Sequence, residues 1–200
     1  MTLELWNTFA TFGTFIVIAA TAIAALVQLR HMRGGNQIAA LQELRQETEA
    51  PEFVAGQQLV LREVASKLKD SEFRYQLANA STRTDVNRTL IAGFVKVGNF
   101  YESLGLLVKT GLVDRELALD WWASNAAQAW EPLGPVARIL RRARGPEIWE
   151  NFEYIVVLAQ DWLAAHPRGA YPAGVRRITE KDEWLEADRQ YAVSRAPAAP

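Results

Sequence analysis

Residues 90–114 read LIAGFVKVGNFYESLGLLVKTGLVD, and their pattern decides the fold class. Leu90, Phe94, Val97, Tyr101, Leu104 and Val108 alternate spacings of four and three, the period of one buried helix face. Upstream, Thr82 with Asp85 three residues on resembles a capping box that opens this helix. Gly111 stands where a left-handed C-cap belongs, and Asp114 caps the next helix within three residues. So short a connection implies antiparallel neighbours. No stretch alternates apolar and polar residues as a half-buried strand would, so the chain is predicted to be all-α.

The same signals extend outward in both directions. After Asp114 a helix carries Leu117, Trp121, Trp122 and Trp130, and Pro132 and Pro135 bracket a bend before a basic helix that runs to Arg144. Gly145-Pro146 stops that helix and starts another, with Ile148, Phe152, Ile155, Ala159 and Trp162 inward. His166-Pro167 ends the bundle, and residues 168–200 form a flexible tail with one short helix after Thr179. Toward the N-terminus, Asp70 caps a short helix with Phe73 and Leu77 inward. Pro51 opens a helix whose inward residues are Val54, Leu61, Val64 and Leu68. Asn36 caps one with Ile38, Leu41 and Leu44, and Gly34-Gly35 before it is read as a break that lets the domain pivot. The bundle is thus expected over residues 36–167.

Residues 5–29 contain no charged side chain. At about 1.5 Å per residue a helix of that length covers roughly 37 Å, against a hydrocarbon core of about 30 Å. Eleven of the residues are Leu, Ile, Phe or Val, worth roughly 3 to 7 kcal/mol toward insertion. Thr8, Thr11, Thr14 and Thr21 weaken this modestly, since a helical hydroxyl bonds to a carbonyl one turn back. A cleaved signal peptide would carry Lys or Arg before the apolar run, whereas here Glu4 precedes it and Arg30-His31-Met32-Arg33 follows. The reading is a single transmembrane helix in the inner membrane, N-terminus outside, with a cytosolic multi-helix bundle behind it. The lack of cysteine fits a reducing compartment.

Lys plus Arg number 22 and Asp plus Glu 23, so no net field recruits nucleic acid. The two histidines, His31 and His166, have no partner at helical spacing, and no metal site is expected. No phosphate loop, dinucleotide fingerprint or serine elbow is present, and no cofactor is expected. Gly98 and Gly105, seven apart, fit close helix contact better than ligand binding. The polar candidates on otherwise apolar helices are Asn99, Glu102, Glu150, Asn151 and Glu153; as an acid/base pair, Glu102 and Glu153 would be the catalytic choice. A place on the bundle's rim, pairing with Arg or capping a helix, is the simpler account of both. Arg138, Arg141, Arg142 and Arg144 form a basic cluster suited to anionic lipid or a partner, or to local pairing with acids. In the span, Ala10, Thr14, Thr21 and Ala25 line one face of small residues, where self-association or a partner helix would pack.

The order QLRHMR (28–33), APEFVAGQQLVLREV (50–64), VGNFYESLGLLVKTGLVDRELALDWW (97–122) and ENFEYIV (150–156) resembles a bacterial membrane-anchored family, domain of unknown function 4760. The resemblance covers roughly residues 15–165 and is most specific over 99–122. It implies an anchor plus a cytosolic helical bundle, and supplies no activity, substrate or catalytic residue. Two functions follow as expectations. The first is a non-catalytic, membrane-anchored interaction or scaffold module with an unknown protein partner or a second copy of itself. The alternative is a membrane-tethered hydrolase or lyase using Glu102 and Glu153.

Overall fold

Helix α1 (Leu3–Glu49) runs for 47 residues without interruption. The computed structural model describes residues 3–179 and 181–195, with the backbone alone for 3–5, 8–10 and 33. Gly34 and Gly35 therefore do not break the chain, contrary to the sequence reading. A helical glycine costs only about 1 kcal/mol against alanine and no proline lies nearby, so Asn36, expected to cap a new helix, instead sits inside α1. Over its first half the described side chains are almost all exposed, including Phe12, Phe15, Ile16, Val17 and Leu26. Thr11 and Thr21 donate to the carbonyls of Asn7 and Val17, each at 2.8 Å, so these hydroxyls are satisfied within the helix. Near its other end Leu44 is buried and Ala40 and Leu41 pack on the core. One helix thus joins an apolar rod to the packed domain.

Pro51 starts α2 (Pro51–Leu59) at its first turn. The helix continues through a π turn (Val60–Val64) into one further turn, α3 (Ala65–Lys67). Its buried face is Phe53, Gly56, Val60 and Val64, while Val54 and Leu61 are exposed. Of the expected stripe only Val64 is fully inward, because Phe53 offers more apolar area than its neighbour Val54 and sets the rotation of the helix. Gly56 lets α2 approach closely: a Cβ there would stand 2.5 Å from the Gly93 carbonyl oxygen. Asp70 caps α4 (Ser71–Ala78) by accepting from the Glu72 amide at 2.9 Å. After a 3₁₀ turn (Ala80–Thr82), α5 (Asp85–Lys109) begins at Thr84, whose hydroxyl accepts from the Asn87 amide. The cap is Thr84 and not Thr82, whose hydroxyl is spent on the Asn79 carbonyl.

The stripe Leu90, Phe94, Val97, Tyr101, Leu104 and Val108 is buried along its whole length. Gly111 adopts φ +71°, and Asp114 accepts from the Leu117 amide at 3.0 Å to open α6 (Arg115–Arg144). Pro132 and Pro135 lie inside this single 30-residue helix and do not divide it. Each removes one ladder hydrogen bond, and the burial of Leu133, Gly134, Val136 and Ala137 around them offsets that loss. Trp122 is buried, whereas Leu117 and Trp121 remain about half exposed. Helix α7 (Glu150–Ala165) buries Phe152, Ile155, Val156 and Ala159 against α5 and α6. Its ring of Phe152 is the hub of the core, stacked on Tyr101 at 4.9 Å and edge-on to Trp130 at 4.8 Å.

By contacts the chain divides into two units, Met1–Pro167 and Arg168–Pro200. The second holds α8 (Leu185–Arg195) and no buried residue among those described. Within it Arg177 lies 4.7 Å over the Tyr171 ring and donates to the Arg168 carbonyl. The described residues are helical or irregular, with no strand. Two helices are long and apolar enough to cross a bilayer by length and composition. One is α1; the other is α5, whose apolar stripe is spent on the core of the bundle.

Candidate functional site

Helix α7 begins under constraint. Its N-cap is Trp149 at φ +55°, a left-handed conformation that costs a non-glycine residue about 1–2 kcal/mol, and an indole cannot cap amides. Neighbouring elements supply what the cap lacks. The Trp149 indole lies on Gly98, where any Cβ would collide with the ring, and its Nε1 donates to Asn99 Oδ1 at 3.0 Å. Arg141, in the last turn of α6, donates to the Ile148 and Trp149 carbonyls and to Glu153 Oε2. Glu102 completes the arrangement from α5: its carboxylate accepts from the Phe152 amide at 2.9 Å and from Asn151 Nδ2 at 2.7 Å. A carboxylate at the positive end of a helix macrodipole is favourable, so Glu102 caps α7 from another helix. Gly105 lets the Asn151 backbone settle against α5.

The residues singled out from sequence thus fall into distinct places. Asn99, Glu102, Asn151 and the two glycines converge on the start of α7. Glu150 and Asn151 both meet Lys109, at 3.7 and 3.2 Å. Glu153 is paired with Arg141 at 2.6 Å and does not line the cavity to which Glu102 contributes. The four arginines of the basic cluster do not act together: Arg141 is turned onto α7, Arg138 and Arg142 are exposed, and Arg144 borders the cavity. On α1, Thr21 and Ala25 are exposed, while the Ala10 side chain lies outside the described residues, as does that of Arg33. Thr14 is exposed too, and makes its own polar contact. No group of three or more metal-ligating side chains occurs among the described residues.

That cavity, of about 460 Å³, opens between the start of α5, the end of α6 and the loop before α7. Ile91, Val95, Leu140, Ile148 and Trp149 give it an apolar wall. Arg83, Arg88 and Arg144 border it, with Glu102 and Glu147. Neither Arg83 nor Arg144 has a carboxylate in ion-pair range among the described residues, and Arg88 has only Asp85 at 3.4 Å. Burial, then the Arg144 and Arg88 charges, hold the Arg83 guanidinium below its ordinary pKa. Sequence reading missed Arg83, Arg88, Glu147 and Trp149. One signal was available: a hairpin folded about the turn at Gly111 returns Arg144 toward Arg83, each about 30 residues from the turn.

The chain matches the family described as domain of unknown function DUF4760 over residues 15–162, and it belongs to that family. No curated protein and no solved structure matches it. The matched stretch includes all the residues that build the start of α7, and all the cavity residues named above.

Proposed function

We propose that the protein is a single-pass, membrane-anchored helical interaction module, with its bundle on the cytosolic side of the inner membrane and no catalytic role for its carboxylates. The observation that carries this reading is the continuity of α1. Its exposed apolar half has the length and composition of a span, and the same helix ends in the core at Leu44. From residue 29 to Ala40 the helix rises about 16 Å, so the bundle is held close to the headgroups at a set rotation. Arg30 on the domain side of the span supports the cytosolic orientation. Lipid is then one partner, through α1. For a protein partner or a second copy, Leu106, Leu112 and Leu117, exposed at and around the α5–α6 turn, are the apolar residues offered.

The carboxylates support the same reading, since Glu102 is used by the α7 amides and Glu153 by Arg141. Glu102→Gln and Glu153→Gln both keep shape while removing proton chemistry; Glu153→Gln keeps an acceptor for Arg141, whereas Glu102→Gln keeps one of its two accepted hydrogen bonds and is read beside its melting temperature. Each variant, expressed in place of the native chain, should preserve its cellular role. Loss of that role in either one, with melting temperature and membrane level unchanged, would overturn the module reading in favour of a hydrolase or lyase.

A further inference from the structure

We propose that the cavity between α5, α6 and the loop before α7 binds a small organic anion, a phosphate or carboxylate joined to an apolar group. This inference stands on the bundle alone and does not depend on the membrane reading. Its volume of about 460 Å³ is that of a small-molecule site, with apolar walls and a few polar groups converging on one region. Three guanidiniums border it from two helices and the loop before α5, a favourable arrangement around an anion. Arg83 is fixed by donation from Nε and Nη2 to the Gln76 and Leu77 carbonyls, at 3.0 and 3.2 Å. Those partners orient the group but leave its charge uncompensated. Arg144 has no hydrogen bond or ion pair among the described residues and is available to a ligand.

The two acids at the cavity do not cancel this field equally. Glu102 is already held by two donors from α7, while Glu147 sits beside Gly145 with no cation in ion-pair range. Glu147 opposes an incoming anion, and its removal should favour binding. The apolar wall favours more than a bare ion: Ile91, Val95, Leu140 and Trp149, the last fixed by Gly98 and Asn99, line it for an alkyl or aryl group.

The test uses the full chain, in nanodiscs of zwitterionic phosphatidylcholine or, should it be recovered in the soluble fraction, in buffer, titrated by calorimetry with phenyl phosphate, inorganic phosphate and phenol. Phenyl phosphate should bind saturably at one site per chain, and more tightly than either fragment. Arg144→Gln and Arg88→Gln should each weaken it by about tenfold or more, and Glu147→Gln should tighten it a few fold. Both arginines are exposed, so neither variant is expected to unfold the bundle; Arg83 is left intact because it also ties α4 to the loop. A second arm adds phosphatidylglycerol to the nanodisc. Competition with phenyl phosphate would identify the source of the anion as a lipid headgroup, and no competition would identify it as a soluble metabolite; both outcomes support the site. Absence of saturable binding, or binding indifferent to Arg144→Gln and Arg88→Gln, would overturn it.

Discussion

Gly105→Ala is expected to lower the melting temperature of the bundle by about 10 °C, although it adds a single methyl group to a helix. A Cβ at that position would fall on the carbonyl of Asn151, closer than real Cβ contacts come. The obstacle is backbone, so no rotamer change relieves it, and the first turn of α7 must shift. That shift draws the Phe152 amide and Asn151 away from the Glu102 carboxylate, adding lost charge-assisted hydrogen bonds to the cost of overpacking. Together these amount to about 3 kcal/mol, at roughly 2–4 °C for each in a domain of this size. Gly35→Ala is the control, since nothing lies within 4 Å of a Cβ there and alanine favours the helix. Thermal unfolding followed by circular dichroism reads both. A Gly105→Ala protein that melts with the native one would mean that α7 does not rest on α5 as described.

Tyr101→Ala should cost still more, about 3–5 kcal/mol of a total near 5–15. Its ring is 1 % exposed, stacked on Phe152 and edge-on to Phe100 at 5.0 Å, so truncation leaves a void where α5 and α7 meet. Tyr101→Phe keeps the ring and should be mild near neutral pH. At high pH the two should diverge in a defined direction. Burial raises the phenol well above its ordinary pKa in the folded protein, while the unfolded chain titrates near 10. Above about pH 10 the unfolded state therefore binds fewer protons than the folded one, and stability falls as pH rises. Denaturant unfolding at pH 8 and pH 11 should show a steeper alkaline loss for the native chain than for Tyr101→Phe. Equal losses would place the phenol in contact with water.

What was legible in the sequence was set by strong local signals. The α5 stripe, its stop at Gly111 and the start of α6 at Asp114 each combine a hydrophobic period with a residue whose chemistry suits one role. Gly98 and Gly105 read correctly as contact glycines for the same reason. Errors arose where tertiary packing overrode a local preference. Gly34-Gly35, Pro132 and Pro135 carry breaker signals of a few kcal/mol, and the helices continue through all of them. Phe53 displaced Val54 from the inward face because burial area decides between adjacent apolar residues.

The site was less legible still, since its parts are far apart in the chain. That Glu102 accepts from the Phe152 amide, 50 residues away, shows only in the packing of α5 and α7. No local pattern announces that a helix starting at Trp149 needs a cap from elsewhere. Helical spacing puts Arg138, Arg141 and Arg142 on one face, but only the fold shows that Arg141 is turned onto α7 while Arg138 and Arg142 stay exposed and Arg144 borders the cavity. Arg83 and Arg88 belong to a different element from Arg144, and only the packing of the hairpin with α7 brings the three to one cavity.

The central claim, an anchor helix that carries the bundle on the cytosolic side, can be tested by placing single cysteines in a chain that has none. Thr2→Cys lies before the span, and Ser124→Cys lies on an exposed position of α6. Each full-length variant would be treated with a membrane-impermeant maleimide in intact spheroplasts and again after permeabilisation. The account predicts that Thr2→Cys is labelled in intact spheroplasts and that Ser124→Cys is labelled only once the membrane is opened. Labelling of Ser124→Cys in intact spheroplasts, or recovery of the chain in the soluble fraction, would contradict it.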